Sequence, residues 1–90
     1  MADASFRGTI RFWRPERQGG LAVVDVPSEV TATLGGLKQM RVRGTINGVE
    51  FTSNTMPAGG GRLALSVSKR MLQAGGAQVG DEADFSVERV

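Results

Sequence analysis

Apolar and polar residues alternate one for one through much of this chain, a period that suits half-buried β-strands and little else. Phe6, Gly8, Ile10 and Phe12 take turns with Arg7, Thr9, Arg11 and Trp13. Met40, Val42, Gly44 and Ile46 do so with Arg41, Arg43 and Thr45. Asn47-Gly48 follows at once, the strongest short signal for a hairpin, because a type I′ turn needs positive φ at both central residues. Val49 and Phe51 begin the returning strand, which runs into the polar stretch Thr52-Ser53-Asn54-Thr55. Leu63, Leu65 and Val67 give a fifth strand, and Ala83, Phe85 and Val87 a last one with Asp84, Ser86 and Glu88 facing water. The run from Leu21 to Val26 is short and rich in valine, so it too reads as a strand. Pro15 and Gly19-Gly20 mark the turn before it, Val79-Gly80-Asp81 reads as another turn, and Met56 to Gly61, with Pro57 and three glycines, reads as a loop.

The period breaks twice. Pro27-Ser28 leads into Val30 and Leu34 and stops at Gly35-Gly36, which predicts a short helix over 28–34 with Ser28 as its N-cap and Glu29 favouring its N-terminus. Ser68 caps a second helix, Lys69 to Ala74, stopped by Gly75-Gly76. Neither helix is long enough to stand alone, so each must cap a sheet. Strand, helix, Gly-Gly and strand thus occur at 21–46 and again at 62–88, with Val26, Pro27 and Gly35 matching Val67, Ser68 and Gly76. Either this is coincidence in a glycine-rich chain, or the two halves form one pseudo-two-fold barrel, each having too little core of its own. The fold class expected is all-β: a small closed six-stranded barrel with two short capping helices, one domain over 1–90.

Composition narrows the chemistry. The 90 residues include no cysteine and no histidine. That excludes disulfides, thiolate metal sites, Cys catalysis and Ser–His–Asp catalysis within the chain. No apolar run approaches the length of a membrane span. The opening residues, Met1 to Ser5, lack the basic and apolar regions of a signal peptide. With no cysteine, a reducing cytoplasm is the expected compartment. The net charge of +2 is uneven: residues 1–70 hold ten Lys/Arg against five Asp/Glu, and residues 71–90 one against four. Nine of the eleven basic residues are arginine, a mild hint of an anionic partner.

Order and spacing carry a resemblance. Val24-Asp25-Val26-Pro27-Ser28-Glu29-Val30, then Leu34-Gly35-Gly36, then Arg41-Val42-Arg43-Gly44-Thr45-Ile46-Asn47-Gly48, and finally Gly80-Asp81-Glu82 together resemble the domain of unknown function 1905 family. Phe6 and the first alternating strand fit the family's opening. The resemblance implies a small closed barrel similar to the double-split barrel of the AbrB, MazE and MraZ group, which includes DNA-binding regulators and antitoxins. The family brings no established activity with it. Many relatives carry a further C-terminal segment linked to bacteriocin protection, which this sequence, ending at Val90, lacks. The chain also departs from its relatives at Leu72, where an arginine is usual, and at Ala83, where a valine is usual.

Two candidate sites follow. Arg7, Arg11 and Trp13 on one strand and Arg41 and Arg43 on another make an anion- or nucleic-acid-binding face if the strands are neighbours, since arginine forks bind phosphate bidentately and tryptophan stacks on bases. The plainer reading is a solvated face with the arginines paired to Asp25 or Glu50, and Trp13 covering a barrel end. Thr52, Ser53, Asn54 and Thr55 offer hydroxyl and amide groups to a small-molecule pocket, or are ordinary strand and turn residues. Gly59-Gly60-Gly61-Arg62 has the makings of an anion nest but lacks the ending of a phosphate-binding loop. Asp81, Glu82 and Asp84 are the one carboxylate cluster, with no histidine to complete a metal or acid–base site. No cofactor, metal or catalytic constellation is expected. The first functional reading is a non-enzymatic binding or interaction module for a protein or an anionic ligand. The alternatives are an AbrB-like regulator that uses the arginines on DNA, and an enzyme with an unrecognised carboxylate or Ser/Thr site.

Overall fold

A computed structural model describes residues 4–14, 16 and 20–90. Met1 to Asp3, Pro15 and Gly19, which entered the readings above, lie outside them. Six strands and two helices follow in the order β1 (Ala4–Phe12), β2 (Ala22–Val26), α1 (Ser28–Leu34), β3 (Met40–Ile46), β4 (Val49–Gly59), β5 (Arg62–Val67), α2 (Lys69–Gly75) and β6 (Glu82–Arg89). Every neighbouring pair is antiparallel, and the circuit β1-β2-β5-β4-β3-β6 closes into a barrel. The alternating apolar residues point inward as expected: Ile10, Val24, Val42, Ile46, Leu63, Leu65, Val67, Ala83, Phe85 and Val87 are all buried. Phe6 stacks on Phe85 with ring centroids 5.3 Å apart. Among the described residues no helix is long and apolar enough to cross a membrane.

The repeat is real. Val24 pairs with Leu65 across β2 and β5, flanked symmetrically by Ala22–Val67 and Val26–Leu63. Thr45 pairs with Ser86 across β3 and β6, 41 residues apart, flanked by Gly44–Val87 and Ile46–Phe85. Val24 and Leu65 have that same separation. A pair whose members are one repeat apart lies on the axis that exchanges the halves, so a pseudo-two-fold passes through both pairs. On the axis the Thr45 and Ser86 hydroxyls meet at 2.7 Å. The strands pass so close here that a Cβ on Gly44 would lie 1.7 Å from the Ser86 carbonyl oxygen.

Each half is also split. β1 pairs with β6 from Ala4 to Thr9 but with β2 only from Ile10 to Phe12. β4 pairs with β3 from Val49 to Thr55 but with β5 only from Thr55 onward. The strands part, and a helix stands at each opening: α1, which follows β2, packs on β1, and α2, which follows β5, packs on β4. Val30 and Leu34 of α1 and Met71 of α2 are buried. Ser68 caps α2 as expected, its Oγ accepting from the Met71 N–H at 3.1 Å.

Two expectations need correction. Ser28 is not the cap of α1 but its first residue; Pro27 holds the cap position, with no side-chain bond. Its carbonyl takes the Thr31 N–H at 2.9 Å and the Thr31 hydroxyl at 3.1 Å, so the helix starts one residue earlier than a serine cap requires. Nor is Met56 to Gly61 a loop. β4 continues to Gly59, and a register shift between Pro57 and Gly59 absorbs the proline. The turn itself is only Gly60-Gly61, and the positive φ values of Gly59, Gly60 and Gly61 reverse the chain there instead of framing an anion nest.

The β3–β4 turn has the expected geometry, with φ of 48° at Asn47 and 86° at Gly48. Asn47 also ties the turn down: its Nδ2 donates to the Gly75 carbonyl at 2.9 Å and its Oδ1 accepts from the Asp84 N–H at 2.9 Å. A β-branched residue at positive φ costs at least about 1–2 kcal/mol, whereas the exposed Arg41 makes no ion pair among the described residues and its truncation stays within about 0.5 kcal/mol. Gly48→Val therefore melts well below Arg41→Ala, and equal melting temperatures would contradict this account of the turn.

Candidate functional site

Strand order decides the fate of the arginines. β1 and β3, which carry them, are not neighbours; β6 lies between them, and its outward residues are acidic. Arg7 Nε donates to Glu82 at 3.1 Å and Arg7 Nη1 to Asp84 at 3.0 Å. These bonds, the one to Glu82 foremost, raise the Arg7 pKa further above its ordinary value. Arg43 pairs with Glu88 on the other edge of the same strand. Arg11 binds Asp25 of β2 through both Nε and Nη2, at 3.0 and 2.9 Å. Arg41 alone of the four stands without an ion pair among the described residues. Trp13 is half-buried just past β1, its N–H bonded to the Leu21 carbonyl at 2.7 Å. The residues expected to form one basic face are thus divided: Arg7 and Arg43 pair with carboxylates on opposite edges of β6, Arg11 pairs with Asp25 of β2, and Arg41 and Trp13 stand apart from both.

The polar stretch divides by the same alternation. Thr52 and Asn54 are exposed, while Ser53 and Thr55 turn inward. Thr55 is fully buried and donates to the Lys38 carbonyl at 3.1 Å; Ser53 donates to the Ser66 carbonyl at 2.7 Å, where β4 and β5 part. Thr55 pairs with Leu65 as Ile10 pairs with Val24, so it fills, in the second half, the core position that isoleucine fills in the first. Of the four residues, only Thr52 lines a concave surface among the hollows described below.

That surface is an open groove of about 880 Å³ beside α2. Its floor is the sheet of β4, β3 and β6 around the symmetry axis, with Gly44, Thr45, Phe51, Ser86 and Val87 in its lining. One wall is Arg70, Met71 and Ala74 of α2 with its cap Ser68, and Arg43 and Glu88 also line the groove. Thr45 and Ser86 satisfy each other, the Thr45 N–H also donating to Ser86 Oγ at 3.0 Å. Glu50 and Arg70, of opposite charge, both line the groove, and neither has an ion pair among the described residues. Across the axis lies a smaller hollow of about 340 Å³, with Phe6 and Phe85 among its lining. There Asp84 stands where the groove has Arg43, and Ser5 where it has Glu50. The same scaffold is therefore furnished differently on its two sides.

Sequence reading missed Thr45, Glu50, Arg70 and Ala74 as a group, because they come together only through the closure of β3 on β6 and the docking of α2. One signal was present: a glycine, Gly44, in the middle of an apolar alternation, which marks a close approach of backbone. Among the described residues no group of three or more His, Asp or Glu is placed to hold a metal ion.

The model of a family described as a domain of unknown function (DUF1905) matches residues 6–87. No curated protein matches the chain.

The Arg11–Asp25 pair sets one pH dependence. The guanidinium's hydrogen bonds hold the Asp25 carboxyl below its ordinary value, with partial burial opposing them and the charges of Arg11 and Arg62 assisting. A depressed carboxyl stabilises the fold fully above its unfolded value of about 4 and ceases to do so as pH falls through the folded value. Both side chains are more than a third exposed or nearly so, so the contribution is about 0.2–1 kcal/mol. Asp25→Asn accordingly lowers the melting temperature at pH 7, and the gap from the unmodified protein closes in acid below about pH 4. A gap that persists unchanged in acid would assign the loss to packing instead of charge.

Proposed function

We propose that this chain, which belongs to the domain of unknown function 1905 family, is a non-enzymatic binding module whose ligand lies in the groove beside α2. The observation that carries the reading is the pair of opposite charges, Glu50 and Arg70, left without ion pairs among the described residues in a hollow of about 880 Å³. That volume falls in the range of ordinary ligand sites. Arg7, Arg11 and Arg43 elsewhere on the sheet are matched with carboxylates, and the counterpart hollow is smaller and furnished with other side chains. The absence of catalysis is supported by residue chemistry. The chain has neither His nor Cys, and the two hydroxyls in the groove floor are bonded to each other. The cytoplasm remains the compartment proposed.

The AbrB-like reading keeps one supporting observation, the uncompensated charge of Arg41. Against it, Arg7, Arg11 and Arg43 are each held by carboxylates, which a DNA phosphate would have to displace.

Ala74 is exposed and sits on the groove wall, so Ala74→Arg fills the groove while keeping a good helix former in α2. Affinity purification from the native cell, with mass spectrometry of bound small molecules and proteins, recovers a partner with the unmodified protein and loses it with Ala74→Arg at equal melting temperature. The same partners recovered with both proteins would remove the groove from the function. In parallel, fluorescence anisotropy with random-sequence duplex DNA stays flat at about 0.1 M salt; binding that weakens steeply with salt would favour the regulator reading instead.

A further inference from the structure

A β-strand with one neighbour has a row of backbone groups to spare. β4 has β3 on one side from Val49 to Thr55, but β5 joins its other side only at Thr55. In a ladder closed by a two-residue turn, the residues flanking the turn exchange both hydrogen bonds and every second residue does likewise. Val49, Phe51 and Ser53 therefore turn their N–H and C=O toward β3. Glu50 and Thr52 turn theirs the other way, into the split. Among the described residues neither α2 nor any loop supplies a backbone or side-chain partner to these groups. Both residues are exposed, and both line the groove with Arg70 of α2.

We infer that the groove takes an extended segment of a partner polypeptide as an added strand on the free edge of β4, hydrogen-bonded to the backbone of Glu50 and Thr52. The inference rests on the binding-module reading and names its ligand class. Strand addition is a common mode of peptide recognition, in which main-chain bonds supply affinity and alternate side chains supply specificity. The two free residues are spaced by two, the period at which an incoming strand presents its own donors and acceptors. The unpaired charges define the side chains: a basic residue beside Glu50 and an acidic one facing Arg70, since opposite charges across strands stabilise and like charges do not. An unpaired edge is otherwise a liability that natural sheets cover. β1 has an equivalent edge over Ala4–Thr9, where Ser5 and Arg7 hold the matching positions and provide an internal control.

The test uses the full, isotope-labelled chain, a phage-displayed library of random-sequence peptides, and amide hydrogen exchange read by NMR. In the free protein the Glu50 and Thr52 amides exchange fast while those of Phe51 and Ser53 are protected. Selected peptides pair basic with acidic residues, and their binding protects Glu50 and Thr52 but leaves Ser5 and Arg7 unchanged. Methylating the peptide nitrogens that face β4 abolishes binding, and selection against Glu50→Lys replaces the basic residue by an acidic one. Peptides that shift groove resonances without protecting Glu50 and Thr52 overturn strand addition and leave the binding groove standing. Peptides that bind only elsewhere overturn both. Amides of Glu50 and Thr52 already protected in the free protein overturn the inference by showing the edge occupied, by α2 or by a second copy of the chain. A library without binders overturns the inference alone, since the Ala74→Arg comparison judges the groove independently.

Discussion

The close passage of β3 over β6 at Gly44 is the constraint on which the rest of the structure depends. No side chain other than hydrogen fits there, because a Cβ would sit far inside van der Waals contact distance of the Ser86 carbonyl oxygen. The approach lets the Thr45 and Ser86 hydroxyls bond across the symmetry axis. It also lets β3 pair with β6, as β2 pairs with β5 at the other end of the axis, so that the circuit of strands closes. A core this small cannot stabilise either half alone; closure is what joins two marginal halves into one buried interior.

The same passage shapes the surface. Gly44, Thr45 and Ser86, the residues of that passage, line the floor beside α2 together with Phe51 and Val87. Each half leaves a split where a long strand parts from its neighbour, and each split receives a short helix. Around one axis the frame is thus built twice, while the side chains set on it differ. Arg7 is held by Glu82 and Asp84 on one side; Glu50 and Arg70 have no ion pair among the described residues on the other. Divergence of side chains on a repeated frame is what separates a site from its scaffold.

Much of the fold was legible because period two and Asn47-Gly48 are local signals. The strands, the turn, both helices and the spacing of the repeat all follow from short windows of sequence. Errors came where a neighbouring element decides the outcome. Pro57 argued for a loop, yet a bulge against β5 accommodates it. Thr55 was read with a polar surface stretch, yet register places it in the core with its hydroxyl satisfied by Lys38. The arginines were expected to share a face if their strands were adjacent, and only the strand order shows that an acidic strand divides them. The groove was invisible for the same reason: its residues lie on β3, β4, α2 and β6, and no window of sequence contains them together.

Comparing Gly44→Ala with Gly8→Ala in thermal melts tests the central claim most directly. An added Cβ at Gly8 meets a side-chain methyl of Val24 at 2.6 Å, whereas at Gly44 it meets backbone at 1.7 Å. Overpacking a core costs about 1–3 kcal/mol and more where backbone must shift, and in a domain of this size each kcal/mol lowers the melting temperature by about 4–8 °C. Gly44→Ala should therefore fail to fold or melt far below both the unmodified protein and Gly8→Ala. A Gly44→Ala protein that melts with the unmodified one would show that β3 and β6 do not approach as described, and that the barrel closes in some other way.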